Sequence, residues 1–109
     1  MDEKRRAWLA PRAEVFKALG HPTRLFIARK LRDAPHCVCE LTELVGADTS
    51  TVSKHLSVLR NAGLVRSHRE GATIYYSLVC DCLGDMLDAV EVIVSKKAAE
   101  AEAALESAD

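Results

Sequence analysis

Over most of this chain apolar residues recur three and four positions apart, the spacing that gathers them on one face of an α-helix. In PRAEVFKAL, residues 11–19, Val15, Phe16 and Leu19 share such a face, with Pro11 placed to open the helix and Gly20 to end it. HPTRLFIARKLRD, residues 21–33, repeats the pattern through Leu25, Phe26, Ala28 and Leu31, with Pro22 in its first turn and Pro35 just past its end. VCELTELVG predicts a short helix, with Leu41, Leu44 and Val45 apolar and Gly46 closing it. Asp48 or Thr49 is then placed to cap TSTVSKHLSVLRNAG, whose stripe is Val52, Leu56 and Leu59 and whose stop is Gly63. Next the period changes. LVRSHREGATIYYSLV, residues 64–79, alternates and is rich in β-branched and aromatic residues, predicting a hairpin that turns at Glu70-Gly71. From about Cys82 onward a long helix is expected, with Leu83, Met86, Leu87, Val90, Ile93 and Val94 on a face suited to a partner chain.

The order is helix, helix, short helix, tight turn, helix, hairpin, helix. Two helices around a three-residue turn, followed by a two-stranded ribbon, make a winged helix-turn-helix, a mainly α fold with a β-wing. The 109 residues fit a single domain, and neither a repeat nor a low-complexity linker divides them. In such a fold the second helix of the pair enters the major groove with its N-terminal residues leading. Here those are Thr49, Ser50, Thr51, Ser53, Lys54 and His55. Hydroxyls and a lysine suit phosphates and base edges. Arg60, Arg66 and Arg69 add cations nearby, with Arg69 at the expected wing tip.

Net charge is only −1, but its distribution is uneven. Residues 81–109 hold eight acidic residues against Lys96 and Lys97, a net −6, which leaves +5 on the first 80 residues. That separation gives the reading segment the sign that phosphates attract. An enzyme is disfavoured: there is no Gly-rich phosphate loop and no H-E-x-x-H, and only a cysteine with His36 suggests a nucleophile and base. A dimerisation module that binds no DNA is the other alternative, because TSTVSKHL carries one strong cation. Steep salt dependence of duplex affinity separates the two. No apolar run approaches the roughly 20 residues that span a bilayer. The charged start, MDEKRRAWLAPRAEV, does not resemble a secretory signal, so a cytoplasmic protein with no membrane partner is expected.

ALGHPTRLFIARKL and CVCELTELVGADTSTVSKHLSVLRNAGLVRSHREGATIYYSL resemble the ArsR/SmtB family of metal- and thiol-responsive repressors, over roughly residues 12 to 95. HPTR, STVSKHLSVLRNAGLV and REGATIYYSL fall in that family's order and spacing. The resemblance implies a homodimer joined through its first and last helices. It also implies binding to double-stranded palindromic operator DNA without ligand, release by an inducer, and no organic cofactor.

Four cysteines form two C-x-C pairs, Cys37 with Cys39 and Cys80 with Cys82. In the cytosol thiols stay mostly reduced, which favours ligands, redox sensors or core residues over structural disulfides. HCVCEL resembles the cysteine motif of the family's arsenite and soft-metal sensors. Thiolates favour soft ions such as As(III), Sb(III), Cd(II), Pb(II) and Hg(II). Residues two apart in regular helix diverge by about 200°. The first pair can therefore share an ion only if Cys37 precedes the helix or the helix start distorts. Where the family motif often carries a third cysteine this chain has Thr42, so Cys80 and Cys82 are the candidates to complete a site. The expectation is a cluster of Cys37, Cys39, Cys80 and Cys82 binding arsenite or antimonite. A Cd- or Pb-responsive repressor, a persulfide or redox sensor, and small buried core cysteines remain open. His36 and His68 are further possible donors, more ordinary as polar surface residues. Zinc- and nickel-type sites of the family use Asp, His and Glu of paired C-terminal helices. Here the last helix offers only Asp85, Asp88 and Glu91.

Overall fold

A computed structural model describes residues 1–108. Its elements are α1 Glu3–Leu19, α2 Pro22–Asp33, β1 His36–Cys37, α3 Val38–Val45, α4 Thr49–Asn61, β2 Val65–Glu70, β3 Thr73–Leu78 and α5 Cys82–Ala108. Residues 46–48 form the three-residue turn between α3 and α4, with Gly46 in the left-handed region at φ 76°. A side chain there would be strained, so glycine suits this sharp stop.

The core joins α2, α3 and α4 through Ile27, Leu41, Val52, Leu56 and Leu59, all fully buried, and extends to Leu31, Val65, Leu83 and Leu87. The expected stripe of α4 is thus wholly inside. Full burial of a side chain of this size stabilises by about 1.5–3 kcal/mol, which pins which face of α4 is left for solvent.

Helix α1 departs from expectation. It starts at Glu3, where Asp2 accepts the Arg5 N–H at 2.9 Å, and Pro11 lies inside it rather than at its start. An internal proline removes one helical hydrogen bond. Beside it, the Arg12 guanidinium bonds the Trp8 carbonyl and lies 3.3 Å from the Trp8 ring centroid. Of the expected stripe Leu19 is buried and Val15 half-buried, but Phe16 is exposed.

The wing is the hairpin β2–β3, whose last pair is Glu70 with Thr73. Its loop is therefore Gly71-Ala72, one residue later than expected, because Glu70 still pairs. Gly71 has φ 61° while Ala72 has no positive φ, which fits a type II′ turn. A third strand joins the sheet: β1 pairs antiparallel with β3, His36 opposite Tyr76 and Cys37 opposite Tyr75. Two residues are too few to show an alternating pattern in sequence.

Helix α5 leaves the core after Leu87, and every described residue from Asp88 onward is exposed. Its start rests on α2. Arg32 donates to both carboxylate oxygens of Asp88 at 2.6 and 2.7 Å, and Arg29 pairs with Glu91 at 2.9 Å. The Arg32 guanidinium lies over Gly84, where an added Cβ would come within 2.8 Å of Nε. Phe16, Leu19, Gly20, Leu25, Met86, Leu87 and Val90 line an apolar groove of about 220 Å³ between α1 and α5. Ile93 and Val94 continue its apolar character, both more than half exposed.

Candidate nucleic-acid interface and thiol pairs

The start of α4 is fixed by Asp48. Its carboxylate accepts the Thr51 N–H at 2.7 Å and the Ser50 hydroxyl at 2.8 Å. Bonds from Thr51, then Ser50, hold this carboxyl below the usual carboxylate range. Asp48 thus faces the helix N-terminus as an anion, which complements the helix dipole. With the core stripe inside, Thr49, Ser50, Thr51 and Lys54 are exposed and Ser53 is half-buried. Arg60 is exposed at the far end of the same helix. On the wing Arg66, His68 and Arg69 are all exposed, and Arg69 pairs with Ile74 one step from the end of the hairpin. The polar face of α4 and the wing cations thus form a surface of hydroxyl and cationic donors.

His55 sits differently from its neighbours. It is half-buried, its ring centroid lies 4.5 Å from that of His21, and its Nδ1 meets Arg24 Nη1 at 3.3 Å. Burial first, then His21 and Arg24, push its pKa below the ordinary histidine value. The sequence reading placed His55 with the outward residues and did not single out Arg24. HPTR was visible as a motif, but a contact across 31 positions has no local signal.

The first thiol pair begins α3. Cys37 is its N-cap, with extended backbone at φ −80° and ψ 162°. Its sulfur accepts the Glu40 N–H at 3.4 Å, while its thiol donates to Glu40 Oε1 at 3.2 Å. Glu40 Oε1 also lies 3.5 Å from the Cys37 N–H, completing a capping box in which cysteine stands where serine or threonine is usual. His36 Nδ1 donates to the other Glu40 oxygen at 2.9 Å. The Glu40 N–H draws the Cys37 thiol toward ionisation. The Glu40 carboxylate, burial and the charge of Cys39 outweigh it and leave the pKa raised. Glu40 itself is held low, first by His36 and then by Cys37. Cys37 is buried and Cys39 exposed, both as free thiols. Thr42, in the place of a third cysteine, has a buried hydroxyl without a hydrogen-bond partner among the described residues.

The second pair begins α5 and is closed: Cys80 and Cys82 are joined in a disulfide, and the Cys82 N–H donates to Cys80 Sγ at 3.1 Å. This pair is thus oxidised in the structure, where the sequence favours ligands, redox sensors or core residues over a structural disulfide. Among the described residues of one chain, no three His, Cys, Asp or Glu side chains gather as a metal site, so Cys37, Cys39, Cys80 and Cys82 are not assembled here. The strand pairing brings Cys37 alongside β3 at Tyr75, yet Cys80 lies beyond the end of that strand. No described helix is long and apolar enough to cross a membrane.

A tripartite core of α2, α3 and α4, a capped helix with a polar outer face and a cationic wing are the parts of a winged helix-turn-helix, a DNA-binding architecture. The family model described as bacterial regulatory protein, arsR family, matches residues 21–67. An uncharacterised helix-turn-helix-type transcriptional regulator of Methanocaldococcus jannaschii is 36% identical over 80 residues, covering 72% of this chain and 90% of that protein. A homologue of the cadmium resistance transcriptional regulatory protein CadC from Staphylococcus aureus is 42% identical over 67 residues, 61% of this chain and 55% of that one. Among solved structures, a homodimeric winged helix-turn-helix DNA-binding domain from Mycobacterium bovis, a possible ArsR-family regulator, superposes with a TM-score of 0.79. It is 28% identical and covers 89% of this chain and 90% of its own. The chain belongs to the ArsR family of bacterial regulatory proteins.

Proposed function

We propose that this protein is a cytoplasmic, homodimeric repressor of one domain that leaves its operator when a soft, thiol-binding ion is captured at the start of α3. The inducers we favour are arsenite and antimonite. Thr49, Ser50, Thr51, Ser53, Lys54 and Arg60 of α4, with Arg69 of the wing, form the DNA-reading set, and His55, expected among them, takes part through its half-buried seat beside Arg24. Cys37 and Cys39 hold the ion, and Cys80 or Cys82 completes three-sulfur coordination from the same chain or its partner once their bond has been reduced. That reduction consumes two electrons and two protons from a cellular dithiol.

The observation that carries this reading is the backbone at Cys37. It is extended, so Cys37 lies before α3 while Cys39 lies within its first turn. That meets the geometric condition for a C-x-C pair to share one ion. Capture of the ion takes the Cys37 sulfur from the Glu40 N–H and opens the capping box, and α3 is the helix that abuts the turn into α4. Dimerisation is supported by the apolar groove between α1 and α5 and by the exposed apolar residues of both helices.

A second reading has its own support. The Cys80–Cys82 bond suits a repressor that responds to oxidants or persulfides. The likeness to a homologue of a cadmium resistance regulator favours Cd(II) as the alternative inducer, and Pb(II) shares its preference for thiolates. The test is an operator-release titration on reduced protein bound to the duplex upstream of its own gene. Challenges are arsenite, antimonite, Cd(II), Pb(II), Zn(II) and a persulfide donor. Release by arsenite supports the proposal, release by the persulfide donor alone moves the protein to the redox class, and release by none of them defeats ion sensing.

A further inference from the structure

The cluster of His21, Arg24 and His55 has no part in the thiol chemistry. Arg24 extends from α2 to two other helices at once. Its Nε donates to the Ala18 carbonyl at 2.5 Å and its Nη2 to the Lys17 carbonyl at 3.4 Å, both at the end of α1. Its Nη1 meets His55 Nδ1 at 3.3 Å in the middle of α4. Carbonyls at a helix C-terminus lack partners within the helix, and a guanidinium there also meets the negative end of the dipole. All three guanidinium nitrogens are thus engaged by protein acceptors.

The chemistry of the pair fixes the state of His55. A guanidinium has donors only, so His55 Nδ1 accepts and the ring proton sits on Nε2. His21 is set in the same way, because its Nδ1 accepts the Thr23 N–H at 3.1 Å. The two imidazoles then pack at 4.5 Å. Burial and the neighbouring charge of Arg24 keep His55 in the neutral form that this bond requires.

We infer that Arg24 is a positioning residue for DNA reading: through His55 it fastens α4 to the C-terminal end of α1, so α1 and α4 move as one body. This rests on the proposed operator binding. Val52, Leu56 and Leu59 hold α4 by apolar contacts, which resist separation better than rotation or sliding. A directional bond from a half-buried arginine adds the missing restraint. With it, Thr49, Ser50, Thr51 and Lys54 keep their angle to the groove. The exposed Lys54 differs from Arg24 in kind, since its ammonium has no protein partner among the bonds described.

The test measures affinity for the operator duplex by anisotropy at several salt concentrations, with dimer formation and helicity checked for each variant. Arg24→Ala and His55→Leu are each expected to weaken binding by about tenfold, the scale of one charge-assisted hydrogen bond. The double variant is expected to lose little more than either single one. The slope of log affinity against log salt should match the parent protein, because no phosphate contact is removed. His55→Asn, whose side-chain oxygen takes the place of Nδ1, should recover most of what His55→Leu loses. Independent, additive losses overturn the inference. So does a salt slope lowered by about one in Arg24→Ala, which would make Arg24 a phosphate contact. Should Arg24→Ala fail to fold, the Leu and Asn variants at position 55 decide alone: equal weakness in both overturns the inference. If the parent protein binds no duplex, DNA reading fails and takes this inference with it. If the parent binds and Arg24→Ala binds equally well, only the inference falls.

Discussion

The two C-x-C pairs share a spacing and a kind of position, the N-terminus of a helix, yet their sulfurs end in different states. At α3 the Cys37 sulfur accepts an N–H from three residues on, its thiol donates a hydrogen bond to the Glu40 carboxylate, and Cys39 stays free. At α5 the Cys80 sulfur accepts an N–H from two residues on and is bonded to its neighbour Cys82. The difference lies in the cap. A carboxylate that reaches back to the first sulfur occupies both its donor and its surroundings, while both cysteines of the second pair are exposed at the end of a β-strand. Identical spacing therefore yields one pair of free thiols and one closed pair.

The largest effect should come from Cys39→Ser. Loss of an outer-shell partner of a metal ligand typically costs about 10–100-fold in affinity, and loss of a ligand exceeds that. The arsenite needed to release operator is expected to rise by at least about 100-fold. A variant that responds like its parent would remove the functional distinction between the pairs. Next is Cys80→Ser under reducing conditions. Cys82 remains as a substitute donor, so a weakening of about tenfold is expected. An unchanged response would confine the ion to the first pair, and a complete loss would make Cys80 an indispensable ligand. The smallest effect should come from Glu40→Gln, read by the ultraviolet absorbance of the thiolate as pH rises. Removing the carboxylate charge should bring Cys37 ionisation down toward its ordinary range. The linkage has a definite sign: a raised folded pKa contributes stability below the ordinary thiol range, and that contribution is lost as pH climbs through the folded value. Thermal melts of the parent protein should therefore fall on the alkaline side, and those of Glu40→Gln should fall less. An identical alkaline decline in both would show that burial, not Glu40, holds the proton on Cys37.

Much of the architecture was legible because its signals are local. Val52, Leu56 and Leu59 announce a buried stripe, Gly46 a left-handed stop, Asp48 a cap, and the run from 64 to 79 a hairpin, and each occupies that role. Pro11 stands in the ninth position of a helix that begins earlier, at the Asp2 cap, and there it costs a helical hydrogen bond that its sequence neighbours do not announce. Strand β1 has no local signal, since two residues carry no period. The candidate site was less legible for the same reason. Cys37 and Glu40 match a capping-box pattern once cysteine is allowed in the serine place, a signal present but easily passed over. The contact of Arg24 with His55 depends on how three helices pack, and the Cys80–Cys82 bond depends on conformation at a strand end. Neither is encoded in a neighbouring residue type.

The seat of Arg32 over Gly84 has a mechanical consequence. Within one chain helix α5, a rod of 27 residues, is held in its first third, by Leu83 and Leu87, by the arginine above the glycine and by the Arg29–Glu91 pair. At 1.5 Å per residue the rod is about 40 Å long, so a tilt of roughly 5° at that fulcrum carries its tip about 3 Å. In the proposed dimer such a lever converts a side-chain-sized change beside Gly84 into a change in the span between the two reading heads. A duplex has a fixed helical repeat, so span is the one dimension to which a paired reader is least indifferent. Bulk added at this glycine would act as a wedge under the short end of the lever, far from any base and from either thiol pair.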